Sequence, residues 1–240
     1  MKATRKIKFS LGIKIASILS CLAIVSVGFA SWWIINYPEA VEYSEGSFEV
    51  YAINRKEIKF DGLGVADDSN PQIVFGHPGS GTTSWLGYST SVLQENLSTI
   101  LKFNITLTTN ESDKLSDYLS SVDVTLNTGA YGDIDAKYVA PAKVSYRVGT
   151  EGEFAEITPD DNGVYKITGL DYQTADIYLK LDFGWGSQTE GQNPYTYYNN
   201  ETYTDDLATK ATDMLTAING LAGNTYTVTI DTTAKSGSGN

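Results

Sequence analysis

The chain reads as an all-β protein, an antiparallel β-sandwich behind an apolar N-terminal segment. Three observations predict this. From residue 46 onward apolar residues recur with a period of two, the spacing of strands with one buried and one wet face. Turn formers separate the alternating runs: Asp61-Gly62, Asn127-Thr-Gly129, Gly149-Thr-Glu-Gly152 and Asp160-Asp-Asn-Gly163. Only one stretch near the C-terminus carries helical spacing. About nine strands with a single helix fit a jelly-roll or an Ig-like sandwich, and the pattern does not choose between them.

At the N-terminus, Lys2, Arg5, Lys6, Lys8 and Lys14 precede the 16-residue apolar run Ile15–Ala30. A basic head before such a run is the form of an export signal. Gly28 and Ala30 are small enough for a signal peptidase pocket, so the cut is expected between Ala30 and Ser31. The alternative is a retained anchor. Ile15 to Ile35 is 21 residues without a charge, enough to span a bilayer, with Trp32 and Trp33 in the interfacial belt. Ile18-Leu19-Ser20-Cys21 offers a lipoprotein-type reading, but the apolar run continues well past the cysteine. The expected organisation is a signal over 1–30 (or an anchor to 35), one β-sandwich domain over 31–234, and a disordered tail over 235–240.

The short strand candidates are Phe48–Ala52, Glu57–Phe60, Gln72–Phe75 and Val164–Thr168. The longest run covers 97–108, where Leu97, Leu101, Phe103, Ile105 and Leu107 share a face and Thr99 is the exception. The same alternation recurs at Val122/Val124/Leu126, Val144/Tyr146/Val148, Ile177/Leu179/Leu181/Phe183 and Tyr226/Val228/Ile230. Leu207, Ala211, Met214, Ile218 and Leu221 have helical spacing. Thr204 can cap that helix, Asp205 and Asp206 suit its positive end, and Gly220 can end it. The spacing predicts an amphipathic helix at about 205–219.

Removing residues 1–30 takes away five of the 17 basic residues and none of the 29 acidic ones, leaving 12 against 29, a formal charge of −17. Such a chain repels nucleic acid and anionic membrane surfaces. Its only cysteine, Cys21, lies inside the signal, so the exported chain has no disulfide and no cysteine nucleophile. Some 210 residues can bury a sufficient core without staples.

No convergent catalytic set stands out. His77 is the single histidine, in Gly76-His77-Pro78-Gly79-Ser80-Gly81, so no pair of histidines can ligate zinc within one chain. Asp61/Asp67/Asp68/Asn70 and Thr158/Asp160/Asp161/Asn162 are oxygen-rich turns that calcium could use, but neither has the spacing of a calcium loop. No catalytic, cofactor or metal residue is therefore assigned, and no enzymatic turnover is expected. Phe183–Gly186 through Asn193–Asn200 is rich in aromatics and amides. Trp185, Tyr195, Tyr197 and Tyr198 could stack on a sugar or dock a protein, or they could cover one end of the sandwich.

Gly28-Phe29-Ala30-Ser31-Trp32, followed by Gly46-Ser47-Phe48-Glu49-Val50, resembles the TasA/camelysin-like family of exported Gram-positive proteins, whose signals are cut by the peptidase SipW. The resemblance covers about residues 10–50. Ile34-Ile35 departs from it, standing where the family usually turns acidic, and a triple glycine before the cut is missing. What the resemblance implies is an extracytoplasmic jelly-roll domain able to assemble into matrix fibres. Camelysin's metal-dependent protease activity maps onto no residue here. The expectation is an exported, non-enzymatic surface or biofilm-matrix protein that meets signal peptidase during export. It would self-associate through Trp32, Trp33, Ile34 and Ile35. The alternative is an extracellular glycan- or protein-binding module using 183–200. If the signal is uncleaved, the protein is a membrane-anchored ectodomain.

Overall fold

The computed structural model describes residues 44–52, 58–76, 95–108 and 112–235, and in the first stretch only the side chain of Phe48. The signal over 1–30, the Ala30/Ser31 cut, Trp32 to Ile35, His77 and the tail beyond Lys235 lie outside the described residues.

Among the described residues ten strands form two five-stranded sheets. They are β1 (Ser44–Ala52), β2 (Ile58–Val65), β3 (Ile73–Phe75), β4 (Ser98–Leu107), β5 (Leu119–Asn127), β6 (Val139–Val148), β7 (Ala155–Ile157), β8 (Val164–Ile167), β9 (Thr174–Trp185) and β10 (Thr225–Ala234). One sheet has the order β3-β1-β10-β5-β8 and the other β2-β4-β9-β6-β7. The class is all-β, as the alternation predicts.

The expectation of purely antiparallel sheets needs correction. β1 runs parallel to β10, with Phe48 opposite Tyr226 and Val50 opposite Val228. These strands lie far apart in the sequence, so no tight turn forces them to run in opposite directions. The other strand pairings are antiparallel.

Alternation becomes burial most plainly in β4. Leu101, Phe103, Ile105 and Leu107 are buried while their neighbours are half-exposed. Thr99, the odd residue in that row, is also buried, and its hydroxyl donates to the Asn70 carbonyl at 2.8 Å. β9 presents Ile177, Leu179 and Leu181 beside them in register. Side chains from both sheets meet in one core: the ring centroid of Phe183 on β9 lies 6.2 Å from Phe48 on β1 and 4.8 Å from Tyr226 on β10. Burying each such side chain stabilises by about 1.5–3 kcal/mol.

Asp61-Gly62 is not the turn its residues suggest. β2 runs through it, and the ladder to β4 shifts between Asp61 and Gly64. Gly62 takes φ 62°, a conformation open to glycine, so the pair forms an irregularity within a strand. β7 has only three residues, too few to show alternation.

Among the described residues four α-helices accompany the sheets: α1 (Leu115–Tyr118), α2 (Ala130–Asp133), α3 (Pro194–Asn200) and α4 (Asp205–Asn219). α4 has the bounds that the spacing predicts. The Thr204 hydroxyl accepts from the Leu207 amide at 3.0 Å, and Ala211, Met214, Leu215 and Ile218 are buried. No helix among the described residues is long and apolar enough to cross a membrane.

Candidate functional site

The aromatic segment 183–200 is a strand end, a 3-10 turn at Ser187–Thr189 and the helix α3. α3 starts where Asn193 accepts from the Tyr195 amide at 2.9 Å, with Pro194 in the first helical position. Trp185 ends β9 and is 4% exposed. Its ring meets Phe75 edge-on at 5.0 Å, and its indole N–H donates to Glu95 Oε2 at 3.0 Å. The Asn193 amide donates to that same carboxylate oxygen, which ties the start of α3 to the end of β9.

Tyr198 is 1% exposed. Its hydroxyl accepts from Gln188 Nε2 at 2.7 Å and lies 3.6 Å from Met214 Sδ of α4. Burial raises its pKa above the ordinary phenol value. Tyr197 meets Tyr198 edge-on at 5.4 Å, and Tyr195 and Tyr197 are half-buried against the core. The structure therefore gathers the four aromatics at one place but turns two of them fully inward. Trp185 and Tyr198 present no ring face to a sugar. The large apolar side chains most exposed among the described residues are instead Tyr172, at 50%, and Tyr203, at 67%.

A cleft of about 330 Å³ opens elsewhere, lined chiefly by Leu126, Tyr131, Ile134, Val139, Pro141 and Tyr165. It lies beside β6, where the pairing with β9 shifts between Ala140 and Lys143. The Tyr131 hydroxyl donates to the Ala140 carbonyl, and burial pushes its pKa well up. The lining holds no carboxylate, imidazole or thiol. It can accept apolar side chains; it offers no acid–base pair. Its walls come from several short segments with small residues, and no sequence periodicity marks such a place.

The oxygen-rich turns hold protein groups. Asp160 Oδ1 accepts from the amides of Asn162 at 2.9 Å and Val164 at 3.1 Å, while Oδ2 pairs with Lys166. The Lys166 bond, then those amides, hold the Asp160 carboxyl below the usual range. Asn70 Oδ1 accepts from the Gln72 amide at 3.0 Å, and Asp61 pairs with Lys59 at 2.7 Å. Among the described residues no three His, Cys, Asp or Glu side chains gather as a metal-binding group.

No known protein-family pattern matches the chain. No curated protein matches it either. Among solved structures, one described as "Biofilm associated protein - BSP domain" is similar at 10% identity, covering 76% of this chain and 30% of that one, with a TM-score of 0.30. The chain thus spans under a third of that structure's length, and a TM-score of 0.30 is below what a shared fold gives.

Proposed function

We propose that this is an exported, non-enzymatic surface or matrix protein of the TasA/camelysin-like kind, and that it self-associates through its mature N-terminal segment. The observation that carries the reading is Ser31-Trp32-Trp33-Ile34-Ile35 directly behind an export-type signal. Cleavage after Ala30 would leave four large apolar side chains at a free chain end. Burying each stabilises by about 1.5–3 kcal/mol, so together they drive the segment toward some partner surface. Its β-branched and aromatic residues suit strand formation on an open sheet edge of a second copy. Head-to-tail contacts of that kind do not close, and they grow filaments.

The strand order supports the jelly-roll form of the sandwich. Eight jelly-roll strands, numbered along the chain, lie as 1-8-3-6 and 2-7-4-5. With β2 and β3 set aside, the two sheets here read β1-β10-β5-β8 and β4-β9-β6-β7, the same order. The parallel β1–β10 pair is the departure.

The test compares the chain starting at Ser31 with one starting at Glu42, by sedimentation and electron microscopy. The longer chain should form filaments and the shorter one should stay monomeric. Two monodisperse monomers over a wide concentration range would sink self-assembly through this segment. N-terminal sequencing of the exported form should read Ser31; an intact Met1 in a membrane fraction would mean an anchored ectodomain.

A further inference from the structure

Ten lysine and arginine side chains lie among the described residues. Six of them pair with aspartates: Lys59, Lys114, Lys137, Lys166, Lys180 and Lys210. Lys235 donates to the Ser116 carbonyl. The remaining three, Lys102, Lys143 and Arg147, have no carboxylate partner among the described residues, in a chain of formal charge −12. All three stand on the outer face of one sheet. The core-facing residues of β4, β6 and β9 include Leu101, Phe103, Val144, Ile177 and Leu179, so their neighbours at 102, 143, 147 and 178 face the other way.

Register brings two of them together, while Lys143 lies opposite Asp182. Arg147, Tyr178 and Lys102 are successive partners across β6, β9 and β4. The Arg147 guanidinium carbon lies 5.0 Å from the Tyr178 ring centroid and 4.7 Å from that of Phe154. Lys102 Nζ lies 5.8 Å from the same Tyr178 ring. Arg147 Nε is buried without a partner, and Nη1 makes a long contact, 3.4 Å, to the Gly152 carbonyl. Two aromatic rings thus hold the guanidinium in place, and no carboxylate among the described residues pairs with it. Other acids share this face: Asp182 pairs with Lys180 and stands opposite Lys143 in register, Asp61 pairs with Lys59, and Asp176 accepts from the neutral Asn104 amide at 3.1 Å and keeps its charge. Glu156 stands at the sheet edge, opposite Ser145.

We propose that the outer face of β4, β9 and β6 binds an acidic polysaccharide, its carboxylates held by Arg147, Lys102 and Lys143. A guanidinium matches a carboxylate with two parallel hydrogen bonds, and its rings fix it in advance of binding. Lys143 stands four residues along β6, about 13 Å from Arg147, so a polymer laid along that strand meets both charges. The overall negative charge selects the partner. Dense polyanions, with a charge every ~1.7 Å in duplex DNA, are repelled by the molecule as a whole. A uronic-acid polymer carries one charge per sugar and needs only local compensation.

The experiment titrates the full 240-residue chain with fluorescent polygalacturonate, beside uncharged dextran and inorganic polyphosphate. Polygalacturonate should bind, weaken as salt rises from low to high ionic strength, and weaken about tenfold or more in the Lys102→Gln, Arg147→Gln double variant. Lys102→Gln with Lys143→Gln leaves the Phe154–Arg147–Tyr178 stack in place and should also weaken binding. Lys210→Gln, which removes a paired lysine on α4, should not. Melting curves identify any variant that has lost its fold. Absence of binding at low salt, equal binding by the folded variants, or polyphosphate bound as tightly as polygalacturonate would each overturn the assignment.

Discussion

A Cβ added at Gly186 would lie 2.5 Å from the Lys137 carbonyl group and nearer still to the Ala136 oxygen. Both obstacles are backbone, so neither can swing aside. Gly186→Ala should lower stability by about 2 kcal/mol or more, seen as a lower urea midpoint with an unchanged slope. Tyr226 makes a different claim at this scale. Burial pushes its pKa up to about 12 from an ordinary 10.0, and the Asn224 side chain pulls it partly back. Burial raises the Tyr131 pKa as well. The folded chain therefore holds these protons more tightly than the unfolded chain does. The Tyr226 contribution is complete below pH 10 and is lost as pH rises toward 12. Urea midpoints should fall across that window. Tyr226→Phe should flatten the fall, and an unchanged slope in that variant would mean another group is responsible.

Among the elements, α4 follows most directly from its residues. Spacing sets its buried stripe, Thr204 starts it, and the pair Asp206–Lys210, at 2.8 Å, reinforces its first turns. Thr204→Ala should cost about 1 kcal/mol and Thr204→Ser much less, because serine keeps the accepting oxygen. Ile218→Ala, at a fully buried site, should cost about 2–5 kcal/mol in the same melts. α3 was legible only in part. Asn193-Pro194 is a helix start signal, but Tyr195, Tyr197, Tyr198 and the asparagines are indifferent helix formers, and packing of Tyr198 against Met214 completes the element. β2 shows the reverse error. Asp-Gly is a turn signal in isolation, yet pairing with β4 on both sides of it carries the strand through.

At the scale of the whole molecule, β10 joins the two ends of the described chain. It lies between β1, which it meets in parallel, and β5, which it meets in antiparallel register. Its inward residues Tyr226, Val228 and Ile230 are buried. Ending the chain before Thr225 removes a central strand and opens the core of one sheet to water. Such a chain should lose its cooperative thermal transition, read by near-ultraviolet circular dichroism. A retained transition would show that the second sheet holds the fold without it.

The residues by themselves determined the all-β class, the inward rows of the long strands, the bounds of α4 and the acidic charge of the chain. Each of these is written in spacing over a few neighbours or in composition. Only the tertiary structure decided the parallel β1–β10 pair, the inward turn of Trp185 and Tyr198, and the meeting of Lys102 and Arg147 across Tyr178. No basic stripe is visible along the chain, because Lys102 and Arg147 lie far apart in sequence and meet only across Tyr178. The physical reason is the range of the interactions. Side-chain alternation is fixed by the geometry of one strand, whereas pairing partners are chosen by contacts between strands distant in sequence, which the order of residues records only through the packed core.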